Sequence, residues 1–305
     1  METILHYINL VLYVEPLRLL LYLAGLIMFV AANAAYLVLL ERKVAGHIQL
    51  RIGPKENGPF GLLQPLADGI KLMTKQLLTP SGIDPILFRI APVMVMVPAI
   101  MSFVVIPFSD SIVARNMDIG LLVVLAFATI NFLGLLLGAW GSRNKYAIMS
   151  AARVVSQNIA YEIPMLVTIV AIIMVSGSLN MHTIVSQQLG GFWQWNLLNI
   201  KASLLMPAAF LIMFICMLAE TNRAPFDLVE AESELVAGPF IEYSSMGFGL
   251  FFMAEYSNIV IGACLATILF LGGWGCPFGI LPGVHWFLIK IYLLIFMVVW
   301  IRWTF

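Results

Sequence analysis

Charged residues are scarce in this sequence. Only 10% of its 305 residues are Asp, Glu, Lys or Arg, whereas an ordinary soluble domain contains about 25%. Hydrophobic residues make up 62% of the chain, and a soluble fold of this size could not bury so many of them. The composition therefore excludes a soluble globular domain and indicates a protein solvated by a lipid bilayer, in which about 20 apolar residues form one spanning helix.

The sequence also lacks the patterns from which metal and cofactor sites are built. Its three cysteines, Cys216, Cys264 and Cys276, have no ligand spacing, and its four histidines are scattered. We interpret the cysteines as core thiols and expect no metal or haem site. The formal net charge of zero argues against a nucleic-acid partner, which requires a concentrated basic face. Without a nucleotide loop or a cysteine cluster, the chain is not expected to catalyse a redox reaction by itself.

Long apolar stretches predict an all-α integral membrane protein with a polytopic bundle of seven transmembrane helices in a single domain, residues 1–305. The first stretch follows no basic region and is too long for a signal peptide, so we interpret it as a span. Loops rich in Gly and Pro separate the stretches. The predicted spans are residues 17–40, 86–108, 118–140, 158–176, 203–219, 247–271 and 285–302.

Lys and Arg residues are concentrated in alternate loops. The segments 41–85, 141–157 and 220–246, with the flanking span ends and the final end at Arg302, hold 12 of the 16 basic residues. Positively charged loops are retained in the cytoplasm. This bias therefore predicts an N-terminus outside the cell and these three segments inside it.

The first of these segments, residues 41–85, is long enough to have structure of its own. Apolar residues recur at approximately helical spacing in residues 60–78, with charged residues between them, which predicts an amphipathic helix at the membrane surface. Before it, Arg42 and Arg51 supply hydrogen-bond donors among apolar residues. They suit a polar headgroup on an apolar tail, or equally a docking surface for a cytoplasmic subunit.

Four ionisable residues lie in the predicted spans or at their ends: Glu162, Glu220, Glu255 and Lys290. Each costs at least about 2.5–3.5 kcal/mol in the hydrocarbon region on insertion scales, so each requires a reason. Glu162 is placed near the cytoplasmic end of the fourth span and Glu220 at the end of the fifth, where snorkelling to the headgroups is an alternative. Glu255 lies about two turns inside its span, and the alternative there is a structural ion pair with Lys290.

The acidic segment 220–246 contains six carboxylates with Arg223 as its single arginine: Glu220, Asp227, Glu230, Glu232, Glu234 and Glu242. If residues 226–237 are helical, three of these carboxylates share one face. Packed carboxylates cannot all ionise, so some are expected to have raised pKa values and to hold protons near neutral pH. Apolar residues between them favour partial burial over a solvated acidic loop. With Glu255 and Lys290 they form the kind of chain that proton relays use.

Several stretches of the sequence closely resemble one protein family, in the same order and spacing from about residue 17 onward. These stretches are Glu41–Pro54, Leu63–Lys71, Ser142–Tyr146, Ala152–Arg153, Tyr161–Glu162, Ala219–Gly238, Glu242–Ser244 and Phe251–Tyr256. The family is the quinone-site membrane subunit of respiratory complex I, NADH:quinone oxidoreductase. The resemblance implies an enzyme subunit in the cell inner membrane, or the mitochondrial inner membrane. Spans two to six would resemble the five-helix unit of antiporter-like proteins. The family has an eighth span, whereas this chain stops at Phe305.

The resemblance also implies a function for particular residues. The chain would form the entrance of a quinone tunnel and part of the quinone site, with Arg42, Arg51, Asp68, Phe251 and Phe252 lining or supporting the path. Buried carboxylates would couple quinone reduction to proton translocation, with Arg153 and Arg302 as their basic partners. The implied coupling residues are Glu162, Glu220, Asp227, Glu230, Glu232, Glu234, Glu242, Glu255 and Lys290.

Cofactors and partners follow from the same resemblance. The substrate would be a quinone, either ubiquinone or menaquinone, while FMN and the iron–sulfur clusters would belong to other subunits. The implied partners are peripheral-arm subunits, including the one with the terminal iron–sulfur cluster, antiporter-like and small membrane subunits, and lipid. The quinone type, the electron donor and the ion stoichiometry do not follow from the residues of this chain.

Two other functions fit the same architecture. A homologous membrane anchor of a group 4 hydrogenase or formate hydrogenlyase pumps ions without quinone. The complete runs Gln49–Pro54 and Glu232–Gly238 favour the quinone enzymes. A stand-alone cation/proton antiporter would also use intramembrane carboxylates, but the charged cytoplasmic loops suggest a docking face and argue against it.

Overall fold

The computed structural model describes residues 15–198, 205–227, 238–279 and 281–304, and within these ranges it contains helices and no β-strand. This confirms the predicted all-α class. In chain order the α-helices are α1 (Glu15–Ile48), α2 (Gln64–Thr74), α3 (Pro85–Val105), α4 (Gly120–Gly141), α5 (Lys145–Ser176), α6 (Met181–Ser186), α7 (Met206–Glu220), α8 (Ser245–Phe270) and α9 (Val284–Thr304). Short 3-10 turns cover Pro59–Gly61, Phe192–Gln194 and Gly238–Phe240.

Six of the described helices are long and apolar enough to cross a membrane, namely α1, α3, α4, α5, α8 and α9. The fifth predicted span, residues 203–219, corresponds to α7, an apolar helix of 15 residues. Residues 203–204 at its predicted beginning lie outside the described ranges. The architecture is therefore a polytopic helix bundle, as the apolar stretches predict.

Two helices extend further than the sequence predicts. α1 continues past residue 40 to Ile48. The charged residues that follow residue 40 do not end the helix, because Glu41 is buried and paired with Arg223 and Arg302. α5 begins at Lys145 and not at residue 158, because Asn144 caps it and accepts a hydrogen bond from the Tyr146 N–H at 2.9 Å. The segment 141–157 is therefore mostly helical. Glu162, predicted near the end of its span, instead lies near the middle of a 32-residue helix.

The predicted amphipathic helix is present as α2, but it is shorter than residues 60–78. Lys75 adopts an extended conformation and ends the helix. The Ser245 hydroxyl at the beginning of α8 donates to the carbonyls of Leu72 and Lys75 at 2.9 and 2.7 Å. These bonds satisfy carbonyls that have no partner within the helix. They also fasten α2 to α8.

The bundle has two ends, which we name after a residue at each. At the Glu41 end, the Asp84 N–H donates to the Gly141 carbonyl at 2.9 Å, which joins the beginning of α3 to the end of α4. At the Lys290 end, the Leu197 N–H donates to the Phe270 carbonyl at 3.1 Å, at the end of α8. The described parts of all three basic segments lie at the Glu41 end. The side of the membrane that this end faces stays a prediction.

Helix α8 lies at the centre of the bundle and packs against α1, α3, α7 and α9. Its second half is completely buried at Ala263, Ala266, Ile268 and Phe270. Small residues allow neighbouring helices to approach closely in a membrane. The first half of α8, in contrast, carries the polar residues that face the candidate site.

Candidate functional site

Two carboxylates and two arginines meet inside the Glu41 end, where four parts of the chain converge. Arg223, in the segment after α7, lies 3.2 Å from Glu41 of α1 and 3.0 Å from Glu255 of α8. Arg302 of α9 lies 2.8 Å from Glu41. We call these four residues the charge junction. Their formal charges cancel, and their contacts join α1, α8, α9 and the acidic segment.

The charge junction is withdrawn from solvent. The side chains of Arg223 and Glu41 are only 2% and 7% exposed. Tyr256 donates a hydrogen bond from its hydroxyl to Glu41 Oε2 at 2.6 Å, and its ring lies 4.8 Å from the Arg223 guanidinium carbon. Removing an ion from water costs several kcal/mol. The buried charges of Arg223 and Glu41 are therefore stable here because each has charged and hydrogen-bonding partners, whereas Glu255 and Arg302 are half-buried.

Arg223 remains a cation in this environment. Burial by itself lowers the pKa of its guanidinium, but the carboxylates of Glu255 and Glu41 have the opposite effect and raise that pKa above its ordinary value. Arg223 therefore provides a fixed positive charge between the two carboxylates. The sequence places Arg223 among six carboxylates of its own segment, but the structure pairs it with Glu41 and Glu255 from other helices.

A polar surface lies beside the charge junction at the end of α1. Arg42 Nη1 lies 2.9 Å from Asp68 Oδ2 of α2, and the two side chains are 50% and 38% exposed. Gln64 donates to the other oxygen of Asp68 at 2.9 Å. The structure therefore brings together two of the residues predicted on the quinone path, 26 positions apart in the sequence.

Arg51 lies on the loop that follows α1, where its Nε donates to Gln49 Oε1 at 2.7 Å. This loop folds back onto α1 at two glycines. A Cβ atom at Gly46 would lie 3.0 Å from the carbonyl oxygen of Arg51, and one at Gly53 would lie 3.2 Å from the Cα atom of Lys43. Both close approaches involve backbone atoms, so they fix the loop that carries Arg51 against the end of α1.

Phe251 and Phe252, predicted together on the quinone path, point to different sides of α8. Phe252 belongs to an aromatic row with Phe248 and Tyr256, whose neighbouring ring centroids are 5.4 Å apart in both pairs. This row leads to the charge junction, because Tyr256 binds Glu41. Phe251 is buried and packs against Tyr243, with ring centroids 4.8 Å apart.

Two adjoining cavities lie between the helices next to Glu255. The junction cavity has a void of ≈ 580 Å³, open solvent included, and is lined in part by Glu255, Phe251 and Asn222. The inner cavity has a void of ≈ 550 Å³ on the same measure and reaches Leu265 of α8. The two cavities share the lining residues Asn131, Phe132, Glu220, Thr221 and Asn258.

The shared wall of the cavities is polar. Glu220, the last residue of α7, is half-buried and lines both cavities. Beside it, Asn131 of α4 donates to Asn258 of α8 at 3.1 Å. Glu255 pairs with Arg223 and also lines the junction cavity, so this cavity lies between the charge junction and Glu220.

The remaining predicted coupling residues are distributed around this region. Glu162 of α5 is half-buried and accepts a hydrogen bond from Thr129 of α4 at 3.1 Å. Glu242 accepts one from Asn144 at 2.8 Å, at the beginning of α5. Asp227 and Arg153 are both half-buried. Glu230, Glu232 and Glu234 lie outside the described residues, as does most of the predicted acidic helix 226–237.

Lys290 lies far from these carboxylates, at the other end of α8. Its ammonium donates to the backbone carbonyls of Leu271, Gly273 and Gly275 at 2.6, 2.9 and 2.7 Å, and lies 4.1 Å from the centre of the Trp195 ring. A helix rises 1.5 Å per residue, so Glu255 is about 24 Å from Leu271 along the axis. The alternative ion pair between Glu255 and Lys290 is therefore wrong.

Sequence reasoning missed two members of this site, Glu41 and Tyr256. The sequence suggests Glu41 as the end of the first span, although no Gly or Pro residue follows it before Gly46. The absence of a helix-breaking residue there is a signal for a longer helix. Tyr256 gives no signal of its own, because a tyrosine in an apolar stretch is common at membrane interfaces.

Metal ligation finds no support in the parts of the chain that the structure describes. Among these residues, no group of three or more His, Cys, Asp or Glu side chains could hold a metal ion. The three cysteines are buried free thiols. The carboxylates of the charge junction are engaged by arginines.

Comparisons with known proteins identify the family. A profile described as NADH dehydrogenase matches residues 21–305. The H-type subunit of NADH-quinone oxidoreductase from Desulfotalea psychrophila is 68% identical over 280 residues, covering 91% of this chain and 84% of that protein. The proteins of the same name from Ruthia magnifica and Dehalococcoides mccartyi are 44% and 41% identical, covering 89% and 94% of this chain and 77% and 78% of those proteins. The chain therefore belongs to the NADH dehydrogenase family.

Proposed function

We propose that this chain is the quinone-site membrane subunit of a proton-translocating NADH:quinone oxidoreductase. It provides the membrane entrance of the quinone path and couples quinone reduction to proton translocation. The names of its relatives support the assignment to this enzyme. The observation that carries the mechanism is the position of Glu255, which pairs with Arg223 in the charge junction and lines the junction cavity together with Glu220.

The quinone path begins at the polar surface beside α1 and α2. A quinone has a headgroup with two carbonyl oxygens, which accept hydrogen bonds, and an apolar isoprenoid tail. Arg42 and Arg51 supply donors for the headgroup. The aromatic row from Phe248 through Phe252 to Tyr256 offers an apolar wall for the tail and ends at the charge junction.

The charge junction responds to quinone reduction. Reducing a quinone to a quinol takes up two electrons, delivered from the iron–sulfur cluster of a partner subunit, and two protons. Until its protons arrive, the reduced quinone carries negative charge, and this charge near Glu41 alters how strongly Arg223 attracts Glu255. When Glu255 takes up a proton, its attraction to Arg223 weakens, and Arg223 then interacts more strongly with Glu41. When Glu255 releases its proton, the pair with Arg223 forms again.

The two cavities provide the path by which a proton moves from the charge junction into the membrane. Glu255 and Glu220 both line the junction cavity, so a proton released by Glu255 reaches Glu220 across this cavity. Glu162 on α5 and the carboxylates of the segment 228–237 extend the relay. This arrangement matches the requirement that an intramembrane ionisable group lies in a cavity and not against lipid.

Partner subunits bind at the Glu41 end. Leu50 and Ile52, on the loop that carries Arg51, are almost fully exposed, and exposed apolar residues next to a polar rim are typical of protein interfaces. The peripheral-arm subunits, including the one with the terminal iron–sulfur cluster, dock there. The Glu41 end therefore faces the cytoplasm and the N-terminus lies outside the cell inner membrane.

The relay is tested by Glu220→Gln in the intact complex, reconstituted in vesicles. The amide keeps the size and much of the hydrogen bonding of the carboxylate but cannot exchange a proton near neutral pH. We expect the variant to assemble and to reduce an artificial acceptor upstream of the quinone at the normal rate, while quinone-linked proton translocation falls at least about 100-fold. Glu230→Gln is expected to behave in the same way.

The matched control is Glu56→Gln, on the exposed surface of the first loop, which is expected to leave both activities unchanged. Near-normal proton translocation in the Gln variants of both Glu220 and Glu230 would show that titration of these carboxylates is not required.

Purification separates the other candidate functions, because an antiporter is isolated alone and a hydrogenase anchor is isolated with a hydrogenase and no quinone reductase activity.

A further inference from the structure

Three amide side chains, on α5 and on the segment after α7, have buried polar atoms without a hydrogen-bond partner in the described part of the chain. Asn158 of α5 is 1% exposed, and neither its amide nitrogen nor its amide oxygen has a hydrogen-bond partner among the residues described. The side-chain oxygens of Gln157 and Asn222 are also buried without a partner in this part of the chain. A buried amide atom without a hydrogen bond is costly and rare, so three such side chains close together require an explanation.

These amides lie where α5 passes the end of α7. Gln157 uses its amide nitrogen to donate to the carbonyls of Ala219 and Phe226 at 2.8 Å each. Glu220 follows Ala219 directly, and Asn222 lines the junction cavity. The bonds of Gln157 therefore hold this turn of α5 against the segment that carries Glu220.

Asn158 lies between the two cavities on its helix. Val154 lines the junction cavity and Met165 lines the inner cavity. At about 100° per residue, Val154, Asn158 and Met165 lie within about 40° of one another around α5. Asn158 is thus on the same face of α5 as these two cavity-lining residues and between them along the helix, while it is itself part of neither lining.

We propose that Gln157, Asn158 and Asn222 bind internal water molecules beside Glu220, and that these waters carry protons between the junction cavity and the inner cavity. The burial of Asn158 excludes a partner subunit as its hydrogen-bonding partner, whereas water is small enough to reach it. Buried waters typically make about three hydrogen bonds to otherwise unsatisfied polar groups. This inference rests on the proposed function, because it supplies a path to the relay that contains Glu220.

An amide is suited to this role because it orients water without titrating. The nitrogen of Asn158 donates to one water, and its oxygen accepts from another. A proton then moves as each water accepts a proton on its oxygen and gives up another to its neighbour, which leaves the amide unchanged.

The test is Asn158→Leu in the intact complex, reconstituted in vesicles. Leucine has a similar volume but cannot bind water. We expect assembly and reduction of an artificial acceptor to be unchanged, while the number of protons translocated per quinone reduced falls at least about tenfold. Asn158→Ser, which can still bind water, is expected to keep at least about half of the normal ratio. A normal ratio in Asn158→Leu overturns the proposal, and so does an equal loss in both variants, since that indicates packing.

The matched control is Thr168→Val, a buried polar-to-apolar change on the same helix. The Thr168 hydroxyl donates to the Met165 carbonyl at 2.7 Å within α5, so its loss is expected to leave the ratio unchanged. If Asn158→Leu does not assemble, a density map of the wild-type complex that resolves ordered water decides the matter. Density for water at both amide atoms of Asn158 supports the site. A protein group bonded there contradicts it.

The outcomes separate this inference from the proposed function. If Glu220→Gln abolishes proton translocation and Asn158→Leu does not, only the water site is wrong. If both variants translocate protons normally, the proposed relay through Glu220 is wrong as well.

Discussion

The carboxylate of Glu255 lies 3.0 Å from the guanidinium of Arg223, which links the first half of α8 to the segment after α7. Breaking a buried ion pair by removing one partner costs about 3–5 kcal/mol, because the other charge is left uncompensated. Lys290, a buried cation on α9, is satisfied by three backbone carbonyls at the opposite end of the bundle. Removing the Glu255 carboxylate therefore takes a partner away from Arg223 and leaves the partners of Lys290 in place.

A double-mutant cycle tests this difference. We expect Glu255→Gln and Arg223→Met to be coupled by at least about 1 kcal/mol, because the two residues are in contact. Glu255→Gln and Lys290→Met are expected to be additive within about 0.5 kcal/mol, because the residues are far apart. The measurement is the thermal stability of the assembled complex for each single and double variant. Strong coupling between Glu255 and Lys290 would contradict the contacts described here.

The bundle itself could be predicted from the sequence because each span requires a long apolar stretch. Helix limits could not be predicted in the same way. The charges after residue 40 suggest the end of a span, yet α1 continues because Glu41 has partners on other helices. The beginning of α5 has a local signal, since Asn144 is a good N-cap residue, but the apolar stretch begins much later.

The candidate site could be predicted only in part, for a similar physical reason. Charges in apolar stretches identify residues such as Glu220 and Glu255, because an unpaired charge there is unfavourable. The partner of such a charge comes from distant sequence. Arg223 and Glu41 are 182 positions apart, and Tyr256 and Glu41 are 215 positions apart. No spacing rule connects them, so the charge junction is visible only in the folded chain.

Close helix packing behind the junction cavity depends on Gly138 of α4. A Cβ atom at this position would lie 3.1 Å from both Phe251 Cζ and Tyr243 Oη, and 3.2 Å from Ala91 Cβ. Overpacking of this kind typically costs about 1–3 kcal/mol. We therefore expect Gly138→Ala to lower the melting temperature of the complex, as measured by thermal unfolding.

The control for this change is Gly25→Ala in α1, where a Cβ atom would meet nothing within 4 Å. Alanine is favoured over glycine inside a helix by roughly 0.5–1 kcal/mol, so Gly25→Ala is expected to be neutral or slightly stabilising. Equal stability of the two variants would show that the wall formed by Phe251 and Tyr243 adjusts without cost.

The orientation of the bundle is tested by cysteine labelling from each side of the membrane. The native cysteines are buried, so a new cysteine at an exposed position reports on its own. We expect Glu56→Cys, at the Glu41 end, to react with a membrane-impermeant reagent only in inverted vesicles stripped of the peripheral arm. Ser111→Cys, in the loop between α3 and α4, is expected to react only in intact cells. The reverse pattern would invert the whole topology.

The last prediction decides whether the polar surface beside α1 serves the quinone or only a docking partner. The pair between Arg42 and Asp68 is largely exposed, and exposed pairs contribute only about 0.2–1 kcal/mol to stability. Arg42→Ala and Arg51→Ala should therefore leave the complex assembled. If these arginines bind the headgroup, each loses a hydrogen bond from a charged donor, which contributes about 1.5–3 kcal/mol. We then expect the apparent KM for quinone to rise, or quinone reductase activity to fall, by about tenfold or more, while reduction of an artificial acceptor continues. Lys55→Ala, which removes an exposed charge from the same loop, is the control and should leave both activities unchanged. A parallel fall of both activities with loss of assembly would instead assign this surface to docking.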